Sequence, residues 1–260
     1  LNGLTYTHKM SSIRTQKAII SSFWTYLEAS GICENNIVYK IPKKLYRVEK
    51  SNVDTNVKIP TQEELIAFEK NVKDIPNEFT EFRNLTIIKL FCGSGIRSEE
   101  LIGLDMKDVF LQEESPYIMV WGKGNKEVQD RVPLSYEATD YLTEYFEYRK
   151  LFIEEKKEQN KSIDETPVFI SNKGERISKG AIDDFFKRYS NDMITPHMLR
   201  HWCGSHLYED TKNIKLVQRV LRHKNIAVTA ENYVHVSDDE VDSAVKMLRT
   251  DRQNVGQCNQ

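Results

Sequence analysis

Apolar positions along residues 11–30 recur with a helical period. Ile13, Ile19, Ile20, Phe23 and Leu27 mark one face, and Ala18, Trp24 and Tyr26 widen it. The spacing predicts a helix that stops at Gly31. One helix cannot bury that face alone, so the segment reads as the remnant of a small helical domain over residues 1–37. Residues 38–60 lose the period. Pro42 and Pro60 punctuate them, and they carry Lys40, Lys43, Lys44, Arg47, Lys50 and Lys58 against Glu49 and Asp54. They are expected to be a basic linker, either a solvated tether or a strap lying on phosphates.

Thr61-Gln62-Glu63-Glu64 is a capping box, and a helix is expected from it to about Lys73. A second helix is expected from Arg83 to Cys92, ending at Gly93-Ser94-Gly95, and a short third over Glu99–Gly103. Between residues 107 and 134 the period changes. Val109, Ile118, Val120, Val128 and Val132 alternate with polar residues, as in a small antiparallel sheet. Gly122-Lys123-Gly124-Asn125 is its last hairpin turn. Ser135 is placed to cap a long helix to about Gln159, a polar loop follows over 160–166, and Val168–Ile170 is expected to be extended. Helices are expected over 178–189, 196–208, 213–221 and 227–235. The fold class is therefore mainly α with a small antiparallel sheet, in an α+β arrangement. Residues 61–250 form the main domain, and 251–260 a polar tail.

Composition adds bounds. Hydrophobic residues make up 39% of the 260 and charged residues 29%, which suits an ordinary globular protein. No apolar run approaches the ~18 residues of a membrane span, so no membrane partner is expected. No secretory signal is visible, which favours a cytoplasmic location. The chain begins at Leu1 rather than Met, and the sequence leaves open whether an N-terminal part is missing. Cys33, Cys92, Cys203 and Cys258 are scattered without CxxC spacing, so they are expected as plain thiols rather than zinc ligands. The net charge of −2 weighs mildly against a nucleic-acid partner. Its distribution matters more, because the acids gather at Glu154-Glu155, Glu158, Asp164-Glu165 and Asp238-Asp239-Glu240.

The candidate chemistry lies in four places. Arg97 follows a glycine turn at a helix start, where free N–H groups and the helix dipole favour anions. The plainer reading is a surface arginine paired with Glu100. Lys123 sits at a hairpin tip, from which a lysine can deliver a proton to a departing alkoxide; Lys126 competes for that role. Thr195 and Pro196 open a helix on which His197 and Arg200, three apart, share a face. His201 is expected to point elsewhere on that helix and to be structural, like His206 and His235. His223 precedes Tyr233 by ten residues (233 − 223 = 10). A phenol with an ordinary pKa of about 10 is a poor nucleophile unless positive groups stabilise its phenolate. Neither metal-ligand spacing nor a phosphate-binding glycine loop is present in the sequence, so no cofactor is expected.

In this order, these boxes resemble the tyrosine recombinase (phage integrase) family, in its Xer and transposon-integrase branches. Gly95-Ile96-Arg97-Ser98-Glu99-Glu100-Leu101 looks like the first arginine box. Gly122–Glu127 before Val132-Pro133-Leu134 looks like the hairpin lysine. Thr195–His201 is similar to the His-x-x-Arg box, and Leu221-Arg222-His223 through Tyr233–Val236 looks like the final histidine and the nucleophile. The likeness covers about residues 60–236, and residues 11–31 resemble the last helix of the family's core-binding domain. The family commonly has Gly before the final His; Arg222 there costs conformational energy or changes the cap.

The resemblance implies a catalytic domain with a partial DNA-binding domain. It implies site-specific recombination of double-stranded DNA through a 3′-phosphotyrosine at Tyr233, without a cofactor. Arg97 and Arg200 would hold the scissile phosphate, His197 and His223 would assist, and Lys123 would protonate the leaving oxygen. Lys40, Lys43, Lys44, Arg47 and Lys126 are the further DNA-contacting candidates. Residues 237–250, with Val241, Ala244, Val245 and Leu248 as an apolar face, would be traded between neighbours in a tetramer on DNA. Mobile-element or phage integration and excision is the expected role. The competing roles are Xer-type chromosome dimer resolution, relaxation by a type IB topoisomerase, a silent DNA-binding regulator, and a helical protein with no nucleic-acid partner.

Overall fold

The computed structural model describes residues 10–42, 58–122 and 127–222. Contacts divide the chain into two units, Leu1–Thr55 and Asn56–Gln260. In the first, helix α1 spans Met10–Ala29. Gly31 ends it in the left-handed region at φ 71°, and the Ile32 N–H donates back to the Leu27 carbonyl at 3.0 Å. A single 3-10 turn, Ile37–Lys40, follows. Buried Asn36 ties the turn to the helix. Its Nδ2 donates to the Ser21 carbonyl at 2.8 Å and to Thr25 Oγ1 at 2.9 Å, while its Oδ1 accepts from Val38 N–H at 3.0 Å. Val38 is buried, so the first residues assigned to the linker pack with α1. The apolar face of α1 is uncovered: Ile19 is 65% exposed and Phe23 58%.

In the second unit, α2 spans Gln62–Lys73 and opens on the capping box. Thr61 Oγ1 accepts from Glu64 N–H at 3.2 Å, and Glu64 Oε2 accepts from Thr61 N–H at 2.9 Å. Helix α3 spans Glu78–Ser94. It begins earlier than Arg83 because Asn77 caps it, accepting from Thr80 N–H at 2.9 Å. After α4 (Ser98–Ile102) come β1 (Val109–Phe110), β2 (Tyr117–Trp121) and β3 (Gln129–Pro133). They form an antiparallel sheet in the order β1-β2-β3, with Ile118 opposite both Val109 and Val132. Val128, expected to alternate inward, is exposed and precedes β3. Ser135 caps α5 (Tyr136–Glu158). Val168–Ile170 is no strand; Ile170 makes an isolated bridge to Arg176. Helices α6 (Lys179–Tyr189), α7 (Pro196–Thr211) and α8 (Ile214–Leu221) follow. Among the described residues no helix is long and apolar enough to cross a membrane.

Helix α3 is the centre of this unit. Phe79, Leu85, Ile87, Ile88, Leu90 and Phe91 are buried and lie on several sides of it, the pattern of a helix enclosed by others. It packs chiefly against α5 and α7. Phe79 stacks on Phe152 of α5 at 3.9 Å between centroids. Buried arginines satisfy carbonyls of the segment after α5: Arg83 Nη1 donates to Ile170 O at 3.1 Å, and Arg149 Nη2 to Pro167 O at 2.9 Å. This packing fixes both ends that matter for the site, the C-terminus of α3 and the N-terminus of α7.

Candidate active site

Helix α3 ends at Gly95, whose φ of 59° favours glycine. A Cβ there would lie 2.6 Å from Leu221 Cδ2, so the turn sits hard against the end of α8. Two residues on, Arg97 occupies the N-cap of α4 with extended backbone. Its main-chain N–H is not open to an anion, as the helix start had suggested. The Glu100 carboxylate takes it at 2.9 Å through Oε2, while Oε1 takes Arg97 Nη1 at 2.6 Å. The pairing with Glu100 is therefore real, and it leaves Nη2 directed at the carbonyls of Arg222 (3.0 Å) and Leu221 (3.3 Å).

On α7, Thr195 Oγ1 accepts from Met198 N–H at 3.3 Å and Pro196 fills the first turn. The helix then buries Arg200 and leaves His197 at the surface. Arg200 Nη1 donates to the Gly95 carbonyl, and Nη2 to the Leu221 carbonyl. Two arginines more than a hundred positions apart thus share one acceptor, Leu221 O. The free carbonyls at a helix C-terminus carry its negative dipole end, which suits guanidinium groups.

His201 does not point away from His197. The two are four apart on α7, so one face carries both, and their Nε2 atoms lie 2.9 Å apart with rings edge to face. His206 stacks on Trp202 at 3.8 Å. Desolvation holds the His197 imidazole below its usual pKa, and repulsion from Arg200 and Arg97 adds to it. The shift favours the neutral ring, whose Nε2 is engaged by His201.

Arg222 completes the cluster. It follows α8 in the left-handed conformation at φ 53°, ψ 45°, so the cap is kept and the side chain bears the conformational cost. Its Nη2 donates to Glu100 Oε2 at 2.5 Å, and Nη1 to Val220 O at 3.0 Å. The Glu100 side chain is 2% exposed. Burial pushes its carboxyl up, but Arg222 and Arg97 outweigh burial and hold it below the usual value. Two guanidiniums, those of Arg97 and Arg222, pair with the Glu100 carboxylate, and Arg200 joins Arg97 at the Leu221 carbonyl.

The sequence singled out Arg97, Arg200 and His197, and the fold brings the first two together at the end of α8, with His197 one helical turn before Arg200. It underrated Glu100, noted only as a surface partner, and Arg222, noted only as a departure. The signal for Glu100 was its place three residues after Arg97. Lys123, Lys126, His223 and Tyr233 lie outside the described residues, as do Lys43, Lys44, Arg47, His235, the helix expected over 227–235 and the segment 237–250. Lys40 is exposed at the end of the 3-10 turn.

Comparison with known proteins matches residues 61–240 to the phage integrase family. Tyrosine recombinase XerC of Thermodesulfovibrio yellowstonii is 32% identical over 242 residues, covering 89% of this chain and 71% of the relative. XerC of Chlorobaculum tepidum is 30% identical over 88% of this chain and 70% of its own length. Among solved structures, the Tn1549 transposon integrase bound to transposon right end DNA superposes with a TM-score of 0.66 at 15% identity, over 93% of this chain and 80% of that one. The XerH recombinase bound to its difH substrate gives 0.60 at 23% identity; 77% of this chain is covered, and the match spans 57% of that chain. The chain belongs to the phage integrase family, the tyrosine recombinases, enzymes that break and rejoin DNA at specific sites.

Proposed function

We propose that this protein recombines double-stranded DNA at defined sites for integration or excision of a mobile element or phage, acting as a cytoplasmic homotetramer on DNA. Tyr233 attacks the scissile phosphorus. A phosphotyrosyl bond forms at the 3′ end, and the bond to the 5′ oxygen breaks. Lys123 gives that oxygen its proton, with Lys126 as the competing donor. A 5′ hydroxyl of a second strand then attacks the phosphotyrosine and releases Tyr233. Arg97 and Arg200 hold the non-bridging oxygens, and His197 and His223 add hydrogen bonds. Catalysis rests on positioning and on stabilising charge that develops at the phosphate. Lys40, Lys43, Lys44 and Arg47 contact the DNA backbone.

The observation that carries this reading is the convergence of Arg97 and Arg200 on the Leu221 carbonyl, two residues before His223. The identity to XerC proteins favours a second role, chromosome dimer resolution, with the same chemistry. The test of the chemistry is Tyr233→Phe, which loses only the nucleophilic oxygen. On duplexes carrying candidate attachment sites, the wild type is expected to leave a covalent protein–DNA adduct on a denaturing gel. The Phe variant is expected to bind the same duplex and leave none. An adduct with the Phe variant rules out Tyr233 as the nucleophile.

A further inference from the structure

Arg222 is joined to Arg97 twice. Its carbonyl accepts from Arg97 Nη2 at 3.0 Å. Its guanidinium reaches Glu100 Oε2 at 2.5 Å, while Glu100 Oε1 holds Arg97 Nη1 at 2.6 Å. The contacts close a ring: Arg97 to Glu100, Glu100 to Arg222, and Arg222 back to Arg97. Both terminal nitrogens of Arg97 are caught in it. The Arg222 side chain is 10% exposed, so this is an internal contact and not a surface tether. The backbone sits in the left-handed region, where a glycine would meet no steric penalty. An arginine placed there forgoes that relief, and in this fold it spends its side chain on Glu100.

We propose that Arg222 is a positioning residue: through Glu100 and through its own carbonyl it fixes the fork of Arg97 and pins the backbone that leads into His223. This rests on the reading of Arg97 as a phosphate clamp. A planar fork serves a phosphate only when its orientation is set, because its donors lie in one plane. A free fork rotates, and a misplacement of about 1 Å at a reacting group can cost about 10²-fold in rate.

The experiment measures single-turnover cleavage of a nicked duplex carrying a candidate attachment site, with affinity for the same duplex measured separately. Arg222→Gly removes the side chain and relaxes the backbone. If Arg222 only caps α8, this variant cleaves at the wild-type rate. If it positions Arg97, cleavage falls by about tenfold or more while DNA affinity stays within about threefold and a cooperative melt is retained. Arg222→Lys keeps the charge for Glu100 and is expected to recover part of the rate. Nitrogen-15 NMR of the Arg97 guanidinium gives a readout without DNA: rotation about its Cζ–Nη bonds is expected to quicken in Arg222→Gly. Unchanged cleavage and rotation in Arg222→Gly overturn the proposal. So does a loss of DNA affinity or of folding that accounts for the whole rate change. Arg97→Ala separates the two readings: if it cleaves normally, the clamp reading itself fails; if it is inactive while Arg222→Gly is normal, only the positioning role fails.

Discussion

Glu100 is a buried carboxylate that contacts Arg97 and Arg222 directly. Its replacement by Gln keeps the shape and removes the charge that burial had to be offset for. Breaking a buried pair costs about 3 kcal/mol, because the partner charge is left without its counter-ion. Glu100→Gln is expected to lower the unfolding free energy in urea by about that amount. The pH dependence follows from the depressed carboxyl. A folded value below the ordinary 4.5 means that the unfolded chain binds the proton more readily. The stabilisation is fully present above pH 4.5 and is lost as pH falls through the folded value. The gap between wild type and Glu100→Gln is therefore expected to narrow in acid-unfolding curves below that point; a gap independent of pH would show that charge is not its source. At this scale the sequence was legible only where contacts are local. Arg97 and Glu100 are three apart on one short helix, and their pairing could be read from the spacing. Arg222 and Glu100 are 122 positions apart, and nothing in either neighbourhood announces the other. His201 was misjudged although it is local, because adjacency to Arg200 was weighed and the four-residue step back to His197 was not.

Elements were legible where a cap residue stands in the sequence. Thr61, Ser135 and Thr195 each accept from a main-chain N–H three residues on, and each helix starts where the cap requires. The start of α3 was missed because Asn77 follows Pro76 in a polar stretch, and the apolar period becomes clear only after Arg83. Helix α3 itself is buried on several sides, so periodicity alone had less to say about it than about α1. The extended piece at Val168–Ile170 was expected from three apolar residues in a row. In the fold those residues insert into the core, where they bond to arginine and tyrosine side chains and make single backbone bonds and an isolated bridge rather than a strand ladder. Caps also give a measurable expectation. Thr61→Ala removes the acceptor for Glu64 N–H and frees Glu64 from the box, at a cost of about 1 kcal/mol. The urea midpoint is expected to fall with the slope unchanged, and DNA cleavage is expected to stay near normal because α2 supplies none of the site residues. A changed slope would mean that the substitution alters the folded or unfolded ensemble more broadly.

At the scale of the molecule, the candidate site is a meeting of helix ends: the start of α4, the start of α7 and the last carbonyls of α8. Their meeting depends on the packing of α5 and of α7 on the buried α3. The proposed tetramer would meet through the residues after Val236. Val241, Ala244, Val245 and Leu248 are spaced for one helical face and need cover from somewhere. Burying a large apolar side chain contributes about 1.5–3 kcal/mol, so even this short face bears on assembly. If a neighbouring subunit supplies the cover, truncation after Val236 leaves a folded protein that binds a single site but does not assemble. Light scattering of the protein–DNA complex would then report a tetramer for the full chain and a smaller species for the truncated one. Recombination between two duplexes would fall with it. Initial cleavage of one site would fall less, because the truncation retains Tyr233. If the face packs on its own subunit instead, the truncated protein loses its cooperative melt before any assembly is tested. A truncated protein that remains tetrameric and recombines would place the subunit contacts elsewhere in the chain, with the exposed apolar face of α1 as the next surface to vary.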